Sequence, residues 1–315
     1  MTEKATWRDP ALGVARELEL RQGRLRYFEA GTGSPIVFAH GLLVNANLWR
    51  KVVARLAPEF RCIALDLPLG SHTLQMPADA ELTLPGLADL IADALEALAL
   101  EQVTLVGNDT GGALCQIVVT RRPERIGRLV LTSCDYRDNF PPRMFRYFKP
   151  AAAVPGAMKL LMLPMRLRWP RRLPFAFGWL VKRPIDRQAE DSYLLAGMTI
   201  PGVEHDLKRV IKGLDTRYTN EAAERLKEFD KPVLIAWSRE DRFFKPAHAE
   251  RLAQDLPNAR LEWIENARSL SPEDEPRRLA ELIASFVHAP ATRTPANPTA
   301  KHRCAARREP RAFWR

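Results

Sequence analysis

Val103-Thr104-Leu105-Val106-Gly107-Asn108-Asp109-Thr110-Gly111-Gly112 is the stretch that decides the fold. Val103–Val106 reads as a buried strand, and the pattern from Ala113 to Thr120 reads as a helix. Between them Gly107-Asn108-Asp109-Thr110-Gly111 has the form Gly-x-nucleophile-x-Gly, with an aspartate at the apex. The requirement is steric. The apex residue sits in a strained strand-to-helix turn, and glycines two positions to either side let neighbouring backbone come close. The N-terminus of the following helix supports negative charge at the apex. Asp109 is therefore the leading candidate for a catalytic group.

Upstream, Arg16–Leu20 and Arg24–Glu29 alternate and predict an antiparallel hairpin at a sheet edge. Pro35–Ala39 is an apolar run ending at His40-Gly41, and Leu48–Leu56 carries Trp49, Val52, Val53 and Leu56 on one helical face. Cys62–Leu65 predicts a second buried strand, and Leu84–Leu98 a long amphipathic helix. Downstream, Arg128–Thr132 is a further strand. The alternation then stops from Asp138 to Asp215 and resumes as strand Pro232–Trp237, helix Pro246–Leu256, strand Leu261–Glu265 and helix Pro276–Val287. Strands alternating with helices predict an α/β fold, a mostly parallel doubly wound sheet with helices on both faces. An insertion at that point predicts a helical cap over the carboxyl ends of the strands, where ligands bind in such sheets. The expected organisation is a flexible N-terminus (1–14), a core (15–137 and 216–288), the cap (138–215) and a disordered basic tail (289–315).

A chain of 315 residues accommodates that plan. Of the net charge of +10, +6 lies in the Pro-, Ala- and Arg-rich tail. The body is too weakly basic for a nucleic-acid protein, and no recognition motif supports one. No run is long and apolar enough for a membrane span, and Met1–Pro10 lacks a signal-peptide core, so a cytoplasmic location is expected. Cys62, Cys115, Cys134 and Cys304 have neither metal-ligand nor disulfide-scaffold spacing, and read as thiols of a reducing compartment.

The order of elements, the His40-Gly41 strand end, the elbow and the segment Ala236-Trp237-Ser238-Arg239-Glu240-Asp241 together resemble the α/β-hydrolase superfamily over about residues 15 to 288. The nearest branch is that of the Asp-nucleophile haloalkane dehalogenases and epoxide hydrolases. The resemblance implies that Asp109 attacks carbon to give an ester, which a histidine-activated water hydrolyses. It implies Asp241 as the orienting acid, with Glu240 as the adjacent backup. The backbone N–H groups of Leu42 and Thr110 would form the oxyanion hole, with His40 ordering its loop. No metal or organic cofactor is implied.

The chain departs from that pattern at the third catalytic position. Aligning Pro276 with the proline that opens the final helix puts Ser269 in the histidine slot, and no histidine lies between His248 and His288. A serine hydroxyl is far too weakly basic to serve as a general base near neutral pH. Three readings follow. His205 or His248 supplies a substitute base; or Asp109 acts as a general base, with Asp241 or Arg268 setting its pKa; or the site binds without catalysing. Leu42 and Thr110 stand where dehalogenases carry the Asn and Trp that hold the leaving halide, so dehalogenation is not expected. Epoxide hydrolases use cap tyrosines, and Tyr147, Tyr193 and Tyr218 are available.

Between Pro141 and Ile185 lie Arg143, Arg146, Lys149, Lys159, Arg166, Arg168, Arg171, Arg172, Lys182 and Arg183, interleaved with aromatic and Met residues and without one acid. Such a cap suits an apolar substrate with an anionic end or a peripheral contact with an anionic membrane, and equally a cap whose apolar side packs on the domain with its cations solvated. Seven prolines within Pro141–Pro174 count against one long continuous amphipathic helix, and so against the membrane contact. The expected partner is a small or lipid-like apolar substrate of the epoxide or ester class.

Overall fold

The apolar runs pair into a single eight-stranded sheet. The computed structural model describes residues 2–289. The strands are β1 (Val14–Leu20), β2 (Gly23–Ala30), β3 (Pro35–Ala39), β4 (Arg61–Leu65), β5 (Val103–Asp109), β6 (Ile126–Cys134), β7 (Val233–Ser238) and β8 (Ala259–Ile264), in the order β1-β2-β4-β3-β5-β6-β7-β8. The hairpin β1–β2 and the β2–β4 pair are antiparallel, and every other pairing is parallel.

Successive strand residues point to opposite faces, and the core divides accordingly. Val37, Leu105, Leu129 and Ile235 pack on one face under helices Leu84–Ala97 and Thr110–Arg121. Their neighbours Phe38, Val106, Val130 and Leu234 pack on the other, under Arg50–Leu56 and Pro276–His288. Burial on both faces explains why these strands read as continuous apolar runs. The chain leaves β3 toward β4 on one side and returns to β5 on the other. Between β3 and β5 the sheet therefore has its topological switch point, where a crevice opens at the strand ends. His40-Gly41 and the elbow are the two lips of that crevice.

No strand interrupts the chain between β6 and β7, as the loss of alternation predicts. The inserted segment is a series of short helical turns, among them Phe148–Ala153 and Ala157–Met162, followed by the longer helices Arg187–Thr199 and Val203–Gly213. Prolines set the short turns, each removing an N–H donor. Helix Thr216–Arg225 packs back on Thr110–Arg121 and returns the chain to the sheet.

One buried cation ties the inserted segment to the sheet layer. Arg50, on the helix after β3, meets Glu273 Oε1 and Oε2 at 2.5 and 3.0 Å, Asp186 Oδ2 at 2.5 Å and the Tyr193 hydroxyl at 3.3 Å. Glu273 follows β8, while Asp186 and Tyr193 belong to the insertion. A buried guanidinium with this many acceptors is compensated, and deleting Glu273, its buried carboxylate, would leave the charge stranded.

The N-terminus corrects the expectation of a flexible 1–14. Thr2–Thr6 is helical and packs on Arg187–Thr199, burying Ala5. Arg8 pairs with Asp66 at 2.9 Å, and Leu12 is buried in a 3-10 turn. The basic tail and Cys304 lie outside the described residues, apart from Ala289. Cys62, Cys115 and Cys134 are free and buried. Among the described residues no helix is long and apolar enough to cross a membrane.

Candidate active site

Asp109 occupies the apex of the elbow with φ 55° and ψ −131°. A side chain is rarely held there unless its surroundings enforce it. Two glycines do so. A Cβ on Gly111 would meet Ala39 O at 2.3 Å, so the start of the helix can lie against the end of β3 only as glycine. A Cβ on Gly41 would meet Asp109 Cβ at 2.6 Å and Oδ2 at 2.9 Å, so the β3 loop presses on the carboxyl from the other side.

The carboxyl faces a cavity of about 110 Å³ between the strand ends and the insertion. The sheet side contributes Leu42, Thr110, Asp135, Phe244 and Leu270, and the insertion contributes chiefly Phe145, Phe148, Leu161, Met162 and Phe177. Polar atoms in this wall are few: the two carboxyls, the Thr110 hydroxyl and the Tyr147 phenol.

Asp109 Oδ1 accepts from the Thr110 N–H at 2.5 Å, and the Thr110 hydroxyl lies 3.1 Å away. That hydroxyl is also 3.2 Å from Asp135 Oδ2. It has one hydrogen and can donate to one of the two carboxyls at a time. Burial raises the Asp135 carboxyl well above the usual carboxylate range, and the charge of Asp109 adds to the effect. Its Oδ1 has no hydrogen-bond partner. Burial thus favours the neutral form of Asp135. Burial pushes Asp109 up to about 7; the Thr110 N–H and hydroxyl pull it down, and the charge of Asp241 pushes it further up.

Asp135 was absent from the sequence reading. The signal lies in the strand register. Asp109 pairs with Cys134, the last residue of β6, which sets the residue just after the strand, Asp135, at the height of the elbow.

Asp241 lies where expected, buried in the turn after β7. Its Oδ1 accepts from the Phe243 and Phe244 N–H groups at 2.8 and 2.9 Å and from the Ser269 hydroxyl at 2.8 Å. Its Oδ2 is buried without a partner, and burial lifts the group to about 6. The loop carrying Ser269 reaches the elbow through its backbone, since Asn108 Nδ2 donates to Ser269 O at 2.8 Å.

Several expectations need correcting. Glu240 is exposed and ion-paired with Lys182 at 2.7 Å, so it is no backup acid. His205 is exposed on Val203–Gly213. His248 lines a separate groove with Arg143, Arg146, Trp179, Arg242 and Lys245. Neither imidazole reaches the cavity of Asp109, whose walls contain no histidine among the described residues. Arg268 donates to Gly178 O and Val181 O and does not set the Asp109 pKa. Tyr193 is buried with its hydroxyl on Glu273, leaving Tyr147 as the tyrosine of the cavity wall. His40 orders its loop, as expected. Its Nδ1 contacts Gly41 O and its Nε2 accepts the Leu67 N–H, each at 2.9 Å, while burial lowers its pKa to about 4. Thr110 does present an N–H at the apex, although here it serves the carboxyl of Asp109 itself.

The comparison that decides the family is the profile of the alpha/beta hydrolase fold, which matches residues 34–276. The chain belongs to that family. Among alpha/beta hydrolases it is similar to the uncharacterized hydrolase YugF of Bacillus subtilis, with 27% identity over 263 residues, covering 80% of this chain and 89% of the relative. It is also similar to haloalkane dehalogenase 2 of Mycobacterium tuberculosis, with 26% identity over 279 residues, covering 85% and 93%. The solved structure of the epoxide hydrolase CorEH superposes with a TM-score of 0.73 at 19% identity, covering 87% of this chain and 98% of that one; at that identity the likeness shows the fold. As a member of this family the chain is a hydrolase.

Proposed function

We propose that the inserted segment caps a site that hydrolyses a small or lipid-like apolar substrate, of the ester or epoxide class, with Asp109 as general base. The observation that carries this reading is Asp109 itself, a carboxyl lifted to about 7 by burial and facing an apolar cavity whose wall holds no imidazole among the described residues. A base whose pKa lies near the working pH is the most effective one. In this route Asp109 takes a proton from water, and the water oxygen bonds to the carbonyl or ring carbon. The carbon–oxygen bond then breaks, and the departing oxygen receives the proton from Asp109. No histidine is required. Haloalkane cleavage is not proposed, because Leu42 and Thr110 aim no side-chain N–H at a leaving halide.

A second reading has its own support. The Thr110 N–H on Asp109 Oδ1 would also stabilise the carbonyl oxygen of an ester formed at Oδ2, which favours nucleophilic attack by Asp109. A single turnover in ¹⁸O-water separates the two. With an epoxide the base route labels the product and leaves Asp109 unlabelled, whereas the nucleophile route, through a hydroxyalkyl ester cleaved at its carbonyl, labels the Asp109 carboxyl. The panel is p-nitrophenyl esters of rising chain length beside aryl and alkyl epoxides. Equal turnover by wild type and Asp109→Ala would refute both routes. Binding of substrate analogues with no turnover by wild type would identify a non-catalytic binding homologue.

A further inference from the structure

Among the described residues, eight large apolar side chains are conspicuously exposed, and seven lie between residues 147 and 175: Tyr147, Val154, Leu160, Leu163, Leu167, Trp169 and Phe175. The eighth, Val14, is on the edge strand β1. Leu160 and Trp169 are 71% and 67% exposed. Single exposed apolar residues are ordinary, but this concentration on one short segment is not. The same segment faces inward as well. Leu161, Met162 and Met165 line the cavity, while their neighbours Leu160, Leu163 and Leu167 face out. Tyr147 and Phe175 do both, at 39% and 42% exposure, so the cavity reaches the surface among the exposed apolar groups.

Charge decides what covers this surface. Arg168 and Arg171 are ion-paired with Glu190 and Asp191, and Lys182 and Arg183 with Glu240 and Glu275. Arg143, Arg146, Lys149, Lys159, Arg166 and Arg172 are exposed and take part in no ion pair among the described residues. A second copy packed by twofold symmetry would bring these cations against themselves. A surface of fixed negative charge over hydrocarbon satisfies both features, with ammonium and guanidinium groups at the headgroups and Leu and Trp side chains below them.

We propose that residues 147–175 dock on an anionic lipid bilayer, with the mouth of the Asp109 cavity against the acyl region. Docking stands on the exposed side chains alone. That the substrate enters from the lipid rests additionally on the hydrolase reading given above.

The test is co-sedimentation of the full-length chain with phosphatidylcholine vesicles made with and without phosphatidylglycerol. Binding is expected only with the anionic lipid and should weaken as salt rises. Leu160→Glu/Trp169→Glu, checked by circular dichroism for an intact fold, should lose at least roughly tenfold in partitioning. Lys159→Gln/Arg166→Gln should lose roughly fivefold per cation. Lipids brominated along the acyl chain should quench wild-type emission more than that of Trp169→Phe. Failure of wild type to bind anionic vesicles overturns the proposal. So does unchanged binding of the Leu160/Trp169 variant, which would assign any binding to basic residues elsewhere, and so does a dimer that the same variant dissociates. Vesicle binding is read without turnover, so its outcome is independent of the fate of Asp109 chemistry.

Discussion

Asp109 and Asp135 share one hydroxyl: Thr110 Oγ1 lies 3.1 Å from the first carboxyl and 3.2 Å from the second. A single hydrogen can be donated to one carboxyl at a time, and burial favours the neutral form at both acids. Titration of this site is therefore a property of the pair, read most directly from its effect on rate.

If Asp109 is the base, kcat/KM for an ester substrate should rise with pH, reach half its limit near 7 and stay level above. Thr110→Val keeps the backbone N–H but removes the hydroxyl that favours ionised Asp109. The midpoint should then move to higher pH. A profile that is flat from pH 5 to 9 would rule out Asp109 as the titrating group.

Stability should carry the same signature with the opposite sign. The folded pKa of Asp109 lies above its ordinary value of 3.8, so between about 4 and 7 the unfolded chain gives up its proton first. The native state loses stability across that window as pH rises. Asp109→Asn removes the cost of ionising a largely enclosed group, on the order of 1–2 kcal/mol. Its melting temperature should exceed wild type by about 2–5 °C at pH 8, with the difference vanishing near pH 4.

Ser269→Ala deletes one of the three donors to Asp241 Oδ1 while Oδ2 remains buried without a partner. A loss of about 1–2 kcal/mol is expected by denaturant titration. The loss should shrink at low pH, where a protonated Asp241 needs fewer donors.

Gly41→Ala tests the geometry of the apex. Its new methyl would sit 2.6–2.9 Å from the Asp109 side chain, so the carboxyl must shift. Turnover should fall at least ~100-fold, since displacements of this size misalign reacting atoms. The fold should remain, as judged by circular dichroism.

The strand-to-helix elbow was legible because its glycines and apex are contiguous, and the insertion was legible because alternation visibly stopped. The position of Asp241 followed from the end of an apolar strand. Asp135 was not legible: its importance comes from lying beside Asp109 across a strand pair, and register is not written in either strand alone. His205 and His248 were plausible substitutes by residue type, but their placement depends on how the insertion folds. The docked N-terminus escaped notice for a related reason. Thr2–Thr6 is too short to signal a helix and is held by packing against a segment far along the chain.

The Arg50 cluster has a consequence for how the molecule comes apart. Its acceptors belong to the stretch after β8 and to the insertion, while the guanidinium itself rides on the helix after β3. Prising the insertion away would cost the guanidinium its Asp186 and Tyr193 contacts while Glu273 stays on it, so the cluster couples the insertion to the sheet layer. Calorimetry should record one endotherm for the whole molecule, with Arg50→Met splitting it in two.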